Sequence, residues 1–272
     1  ELSNDNGWNH PSHYGTIHMG DINGDALADV CARGNSGMRC WLSTGSGFDP
    51  DTIVGPEWSD ANGWEAEKYY ATIRMLDMNG DGMADLCGRG PDGIQCYLAN
   101  GEGFDDGLPG PELSDANGWG SPQYYATIRS GDITGDGMDD LCARGAAGFM
   151  CWPSTGDGFG DQIGGPTWND DGGWGEMRHW ATIRLADITG DGLMDLCARG
   201  PGGIECFPST GEGFSEVVPG PTLTNDTGRH DQTNYLPLRW GDINGDGLTD
   251  VCARADAGML CWLSFGDSFG QA

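Results

Sequence analysis

Short apolar stretches alternate with glycine-rich polar ones along the whole chain. In the fourth of these cycles, residues 179–186 (His-Trp-Ala-Thr-Ile-Arg-Leu-Ala) read as a β-type run that enters an acidic loop. Residues 194–199 leave the loop as a short second strand, and a Gly-Pro-Gly-Gly turn follows at 200–203. Residues 204–209 make a third strand, and 211–214 a loop ending on Phe214. A linker at 217–221 then leads to a fourth short strand around Leu223. No stretch of useful length has helical period.

The same unit is written five times, at about 1–56, 57–111, 112–166, 167–221 and 222–272. Its acidic loops begin at Asp21, Asp77, Asp132, Asp187 and Asp242, which are 56, 55, 55 and 55 residues apart. A period that regular marks a repeat architecture in which each unit leans on its neighbour. Four short antiparallel strands per repeat, in a chain with 49 glycines, predict an all-β fold, a five-bladed β-propeller forming one domain over 1–272. Residues 1–8 match residues 57–64 and 112–119, read as fourth-strand segments, and the last repeat stops after its third strand. An N-terminal strand is therefore expected to close the last blade and cover its edge.

The loop reads Asp-x-(Asn/Thr)-Gly-Asp-(Gly/Ala)-x-x-Asp. Position 1 is Asp21, Asp77, Asp132, Asp187 and Asp242, and position 3 is Asn23, Asn79, Thr134, Thr189 and Asn244. Position 5 is Asp25, Asp81, Asp136, Asp191 and Asp246, and position 9 is Asp29, Asp85, Asp140, Asp195 and Asp250. Position 7, at Leu27, Met83, Met138, Leu193 and Leu248, would add its main-chain carbonyl. Clustered carboxylates repel one another without a cation between them, and oxygen donors suit a hard one. Up to five Ca2+ ions are expected, bracing the fold. The first site is expected to be weakest, because Ala26 replaces the glycine of a sharp turn. Since a strand follows each loop, the pattern resembles the FG-GAP or VCBS repeat of integrin α-subunit propellers, fungal propeller lectins and many secreted bacterial and fungal proteins. That resemblance implies a calcium-binding propeller and no single activity.

The cysteines pair by their spacing. Cys31 with Cys40, Cys87 with Cys96, Cys142 with Cys151, Cys197 with Cys206 and Cys252 with Cys261 are each nine apart across a turn. One disulfide per hairpin is expected, and with it secretion. Zinc would need closer cysteines or clustered histidines. No signal-peptide pattern is present and Glu1 already begins the first repeat, so the sequence reads as a mature form. Thirteen basic against 42 acidic residues give a net charge of −29, which disfavours nucleic acid and anionic membranes, and no apolar run is long enough for membrane insertion.

Several columns repeat. Three of them drift among aromatics and read as core: Phe48, Phe104, Phe159, Phe214 and Phe269; Trp41, Tyr97, Trp152, Phe207 and Trp262; and Tyr14, Tyr70, Tyr125, Trp180 and Tyr235. Trp8, Trp64, Trp119 and Trp174, with Arg229 in the fifth place, keep Trp in a Gly/Asn/Asp-rich loop. That column is expected to stack on sugar faces, with Asn4, Asp60, Asp115 and Asp170 taking hydroxyls; the alternative is a tryptophan that plugs the groove between blades. Arg33, Arg89, Arg144, Arg199 and Arg254 form one arginine column, and Arg74, Arg129, Arg184 and Arg239 another, read as structural clamps or as a ring facing an acidic ligand. Repeated weak sites favour a multivalent lectin-like binder of glycans or polysaccharide. The alternatives are a protein-binding or spacer module of a larger secreted protein and a propeller-type glycoside hydrolase or polysaccharide lyase. An enzyme would break the symmetry, and the asymmetric residues His10, His13, His18, Glu176, His179, Arg229 and His230 form no catalytic pattern.

Overall fold

The computed structural model describes residues 2–227, 230–255 and 258–272. It contains five four-stranded antiparallel sheets, the fold class of a five-bladed β-propeller. The first sheet is β1 (His18–Gly20), β2 (Asp29–Gly34), β3 (Gly37–Trp41) and β4 (Ile53–Val54), in that order. The second is β5 (Arg74–Leu76), β6 (Asp85–Gly90), β7 (Gly93–Tyr97) and β8 (Leu108–Pro109). The third is β9 (Arg129–Gly131), β10 (Asp140–Gly145), β11 (Gly148–Trp152) and β12 (Ile163–Gly164). The fourth is β13 (Arg184–Ala186), β14 (Asp195–Gly200), β15 (Gly203–Phe207) and β16 (Val218–Pro219). The fifth is β17 (Arg239–Gly241), β18 (Asp250–Ala255), β19 (Gly258–Ser264) and β20 (Phe269–Gln271). The chain groups into two compact units, residues 1–126 with 154–160, and residues 127–153 with 161–272.

Three expectations need correction. The fourth strand of the fifth sheet is β20, from the C-terminal end, and not an N-terminal strand. In the other sheets the same Phe makes a lone bridge, as in Ser209↔Phe214. Here Gly270 and Gln271 extend the bridge, pairing with Leu263 and Trp262. Residues 4–6 form a 3-10 turn instead. Second, the fourth strands of the other sheets lie earlier than the residues around Leu223, at β16 and its counterparts. Past β16 the chain stays tied to β15, because Ile204 N donates to Pro221 O at 2.9 Å. That approach requires Gly203, which has φ +121° and where a Cβ would lie 2.7 Å from Pro221 O. Third, the run before each first strand is mostly a helical turn, as at Met177–Trp180, and only its last three residues are strand. Proline at the first helical position favours this in Pro11–Tyr14 and Pro122–Tyr125. A buried threonine then joins the turn to the sheet: Thr72 Oγ1 donates to Tyr69 O and accepts from Arg89 N, at 2.7 and 2.9 Å.

All five cysteine pairs are disulfides, as the spacing predicts. Cys31 is bonded to Cys40, Cys87 to Cys96, and Cys142 to Cys151. Cys197 is bonded to Cys206, and Cys252 to Cys261. In each pair the two residues stand directly opposite in the hairpin of second and third strands. The drifting aromatic columns are mostly half-buried against the core, with Tyr125 and Tyr235 buried and Tyr14 and Phe48 exposed. Tyr97 and Phe104 border one cluster around Met38, Ile73 and Leu86 in the first unit, and Phe207 and Phe214 border another around Phe149 and Leu196 in the second. Replacing Cys197 and Cys206 together by serine should lower stability by about 2–3 kcal/mol, read as a lower denaturant midpoint; an unchanged midpoint would show that the bridge adds nothing.

Candidate functional site

The acidic loops are held by their own main chain. In the first, Asp21 Oδ1 accepts from Gly24 N at 2.7 Å and Oδ2 from Ala26 N at 2.6 Å. Ala26 sits at φ +66°, in the region where the other four loops use glycine, so this loop carries local strain. Position 9 is a buried pillar. Asp85 accepts from Met78 N and Ala99 N, at 2.9 and 2.8 Å, and Asp195 likewise from Ile188 N and Ser209 N. Burial pushes Asp85 up to about 7 and Asp195 to about 6; the backbone hydrogen bonds oppose that rise, and the other loop aspartates reinforce it. Among the described residues, no three His, Cys, Asp or Glu side chains gather in a group that would hold a metal ion. The donor set fits a hard cation in kind, being all oxygen, but the position-9 carboxylates already take two main-chain N–H groups.

The first arginine column is the structural clamp. Arg33 is fully buried; its Nε donates to Trp58 O at 2.8 Å, Nη1 to Ser12 O at 3.0 Å, and Nη2 pairs with Asp60. Arg89 repeats this on Leu113 O, Lys68 O and Asp115, and Arg144 pairs with Asp170. Arg199 reaches Leu223 O and Asn225 Oδ1. The aspartates expected to take sugar hydroxyls are thus partners of buried guanidiniums. Asp115 also accepts from Lys68 Nζ and Tyr69 OH, at 2.5 and 2.6 Å. Burial alone would raise its pKa, but the hydrogen bonds from Lys68, Tyr69 and Arg89 outweigh it and hold the carboxyl well below the usual range.

The Gly-Trp column is not a set of four open platforms. Trp64, Trp119 and Trp174 are 4, 8 and 4 % exposed, and Trp8 is half-buried. Trp64 stacks on Trp58 at 4.5 Å, and Trp174 on Trp168 at 4.2 Å. Asn4 lies exposed in its 3-10 turn, and Arg229 lies outside the described residues. Two asymmetric histidines also have packing roles. His13 and His179 stand where the second and third repeats have Tyr69 and Tyr124, each 5.6–5.9 Å from its column tryptophan.

Trp64 nevertheless borders a cavity of about 560 Å³ in the first unit. Trp58, Trp64 and Tyr97 supply its aromatic surface, with Tyr97 edge-on to Trp58 at 5.7 Å. Asn62 and Gln95 supply amides, and Glu57, Asp92 and Glu112 carboxylates; no basic residue lines it. Trp58 is 2 % exposed and its indole Nε1 has no partner. In the fourth repeat the counterpart, Trp168, gives its indole N–H to Glu205, which stands where Gln95 stands here. By that correspondence the unpartnered N–H of Trp58 is buried on the side of its ring toward Gln95. The sequence signal for Trp58 was weak, since its column reads Leu2, Trp58, Leu113, Trp168 and Leu223, a plain apolar position.

With acidic loop, following strand and hairpin in place, the comparison with known families is decisive. The FG-GAP-like repeat profile matches residues 77–143 and 187–253. These two stretches are FG-GAP-like repeats. No curated protein matches the sequence. Among solved structures, the chain is similar to an Agrocybe aegerita lectin described as specifically recognising non-reducing terminal N-acetylglucosamine, with a TM-score of 0.83 at 23% identity. The match covers 94% of this chain and spans 65% of the lectin's length. A Photorhabdus luminescens Tc holotoxin pore also matches, with a TM-score of 0.59 at 23% identity, over 90% of this chain and 11% of the toxin chain. These likenesses establish the fold.

Asp115→Asn should lower the melting temperature by roughly 2–6 °C at neutral pH. An ionised carboxylate held below its unfolded pKa stabilises above the ordinary carboxylate range and loses that contribution as pH falls. The gap between variant and parent should therefore shrink toward acid pH; a gap independent of pH would remove the charge from the explanation.

Proposed function

We propose that the protein is a secreted, lectin-like propeller that binds neutral glycans in the cavity of its first unit. The observation that carries this reading is the stacked Trp58–Trp64 pair with an unpartnered indole N–H beside exposed amides and carboxylates. Apolar ring faces accept the C–H face of a sugar, and polar groups at the edge take its hydroxyls. Likeness to a lectin that recognises terminal N-acetylglucosamine supports the same class of ligand here. Three carboxylates and no base around the cavity oppose acidic sugars, as does the burial of four members of the first arginine column. Five disulfides support an oxidising, extracellular setting, and among the described residues no helix is long and apolar enough to cross a membrane.

Trp58→Phe keeps an aromatic ring, smaller than the indole, and removes the N–H. On a glycan array the parent should bind neutral, terminal N-acetylhexosamine glycans and show weaker binding to sialylated ones. The variant should lose roughly 3- to 10-fold in affinity while still folding, with a melting temperature lowered by the smaller buried ring and saturating glycan binding measured below it. Equal binding by the variant, or a preference for sialylated glycans, would move the site elsewhere.

Calcium belongs to the same proposal as a brace. The groups that would hold it are the carboxylates at positions 1 and 5, the Asn or Thr oxygen at position 3 and the position-7 carbonyl. Bound calcium would neutralise the loop carboxylates. The chain's own main-chain hydrogen bonds, as at Asp21, pre-form the turn. Calcium added to chelator-treated protein should raise the melting temperature, because a ligand seen only by the folded state stabilises it. Ala26→Gly should increase calcium uptake at the first loop. No heat of binding and no change in melting temperature would refute the brace.

A further inference from the structure

The glycan cavity uses no member of the second arginine column, and two members of that column meet in the second unit. Arg184 and Arg239 open β13 and β17, the first strands of the fourth and fifth sheets. Each Nη1 donates back to its own chain. Arg184 reaches Ala181 O and Ile183 O, at 3.1 and 2.6 Å, and Arg239 reaches Leu236 O and Leu238 O, both at 2.9 Å. Among the described residues, the Nε and Nη2 of both have no partner, and no carboxylate pairs with either guanidinium. That is an exception in a chain with 42 acidic residues against 13 basic ones. Arg144 of the clamp column, in contrast, has Asp170. Burial, and then the Arg239 guanidinium beside it, lower the Arg184 pKa from its ordinary value.

Both arginines line a cavity of about 460 Å³, with Leu185, Leu236, Leu238 and Trp240 as the rest of its wall. All six residues belong to the second unit, at the junction of the fourth and fifth repeats. No carboxylate lines the cavity. Trp240 has a buried indole N–H without a partner among the described residues. The repeat departs from its own pattern here. The residues leading into the first strand are Ala-Thr-Ile-Arg at 71–74, 126–129 and 181–184, but Leu-Pro-Leu-Arg at 236–239. Trp240 stands where those three copies have Met75, Ser130 and Leu185. One junction earlier, Arg129 Nε donates to Ile183 O at 3.0 Å. Arg184 Nε makes no such bond to Leu238 O. A contact that joins the third repeat to the fourth is therefore missing where the cavity opens.

We propose that this cavity binds a small organic carboxylate with an apolar body, at a site separate from the glycan cavity. Two guanidiniums with free N–H groups match the two oxygens of a carboxylate, and its charge relieves the repulsion between them. Three leucines and Trp240 accept the apolar body. An inorganic anion would satisfy the arginines and leave that wall unused. A polyanion would be repelled by the net charge of −29, whereas a single carboxylate meets only the local pair of cations.

Fluorine NMR of 4-fluorobenzoate titrated with the whole chain tests this. The parent should bind it. The matching amide, 4-fluorobenzamide, keeps the body without the charge, and acetate keeps the charge without the body; each should bind roughly tenfold more weakly or worse. Arg239→Gln should weaken 4-fluorobenzoate binding by roughly tenfold. Leu236→Glu sets a carboxylate in the cavity wall and should abolish binding. Leu236→Gln, alike in size but uncharged, should cost no more than about threefold. Trp58→Phe, altered in the other unit, should bind as the parent does. No binding by the parent, equal binding of the amide or of acetate, or unchanged binding in Leu236→Glu would overturn the proposal.

Discussion

A buried guanidinium that ties its own repeat to a main-chain carbonyl and a polar side chain of the next is the constraint on which this architecture rests. Arg33, Arg89, Arg144 and Arg199 are withdrawn from water, and each meets a main-chain carbonyl and an Asp or Asn side chain from the following copy. Breaking such a pair leaves an uncompensated buried charge, which costs several kcal/mol. Each disulfide-pinned hairpin is thus incomplete alone, and stability is passed from copy to copy.

The clamp also builds the cavity. Arg33 Nε holds the carbonyl of Trp58, and that fixes the indole against Trp64 beside Tyr97. In the fourth repeat the equivalent pair, Trp168 and Trp174, stacks at nearly the same distance, but Glu205 takes the indole N–H. Gln95 in that place leaves Trp58 unpartnered. In the proposed site, a structural motif shared by two copies would serve a ligand where one neighbouring side chain changes.

Much of this was legible before any coordinates. The 55-residue spacing and the nine-residue cysteine separation report covalent and topological facts, and they led directly to the sheets and hairpins. The arginine column was legible as a clamp because a cation locked to the repeat beside acidic residues has few other uses. The Gly-Trp column misled because short polar neighbours imply exposure, whereas Trp64 buries its ring against a tryptophan six residues earlier, at an apparently ordinary apolar position. The fourth strands were displaced because only two residues of each pair regularly, too few for a hydrophobic period. The fifth sheet finished itself because its last residues could extend a bridge that elsewhere stays isolated, a choice no residue pattern records.

The central claim is that the first unit holds a glycan against Trp58 and Trp64. A crystal structure of the protein soaked with its best array ligand tests it most directly. The account predicts a sugar ring in the cavity between Trp58, Trp64 and Tyr97, with one of its oxygens within hydrogen-bond distance of Trp58 Nε1. A sugar bound at another face, with this cavity filled by water alone, would contradict it.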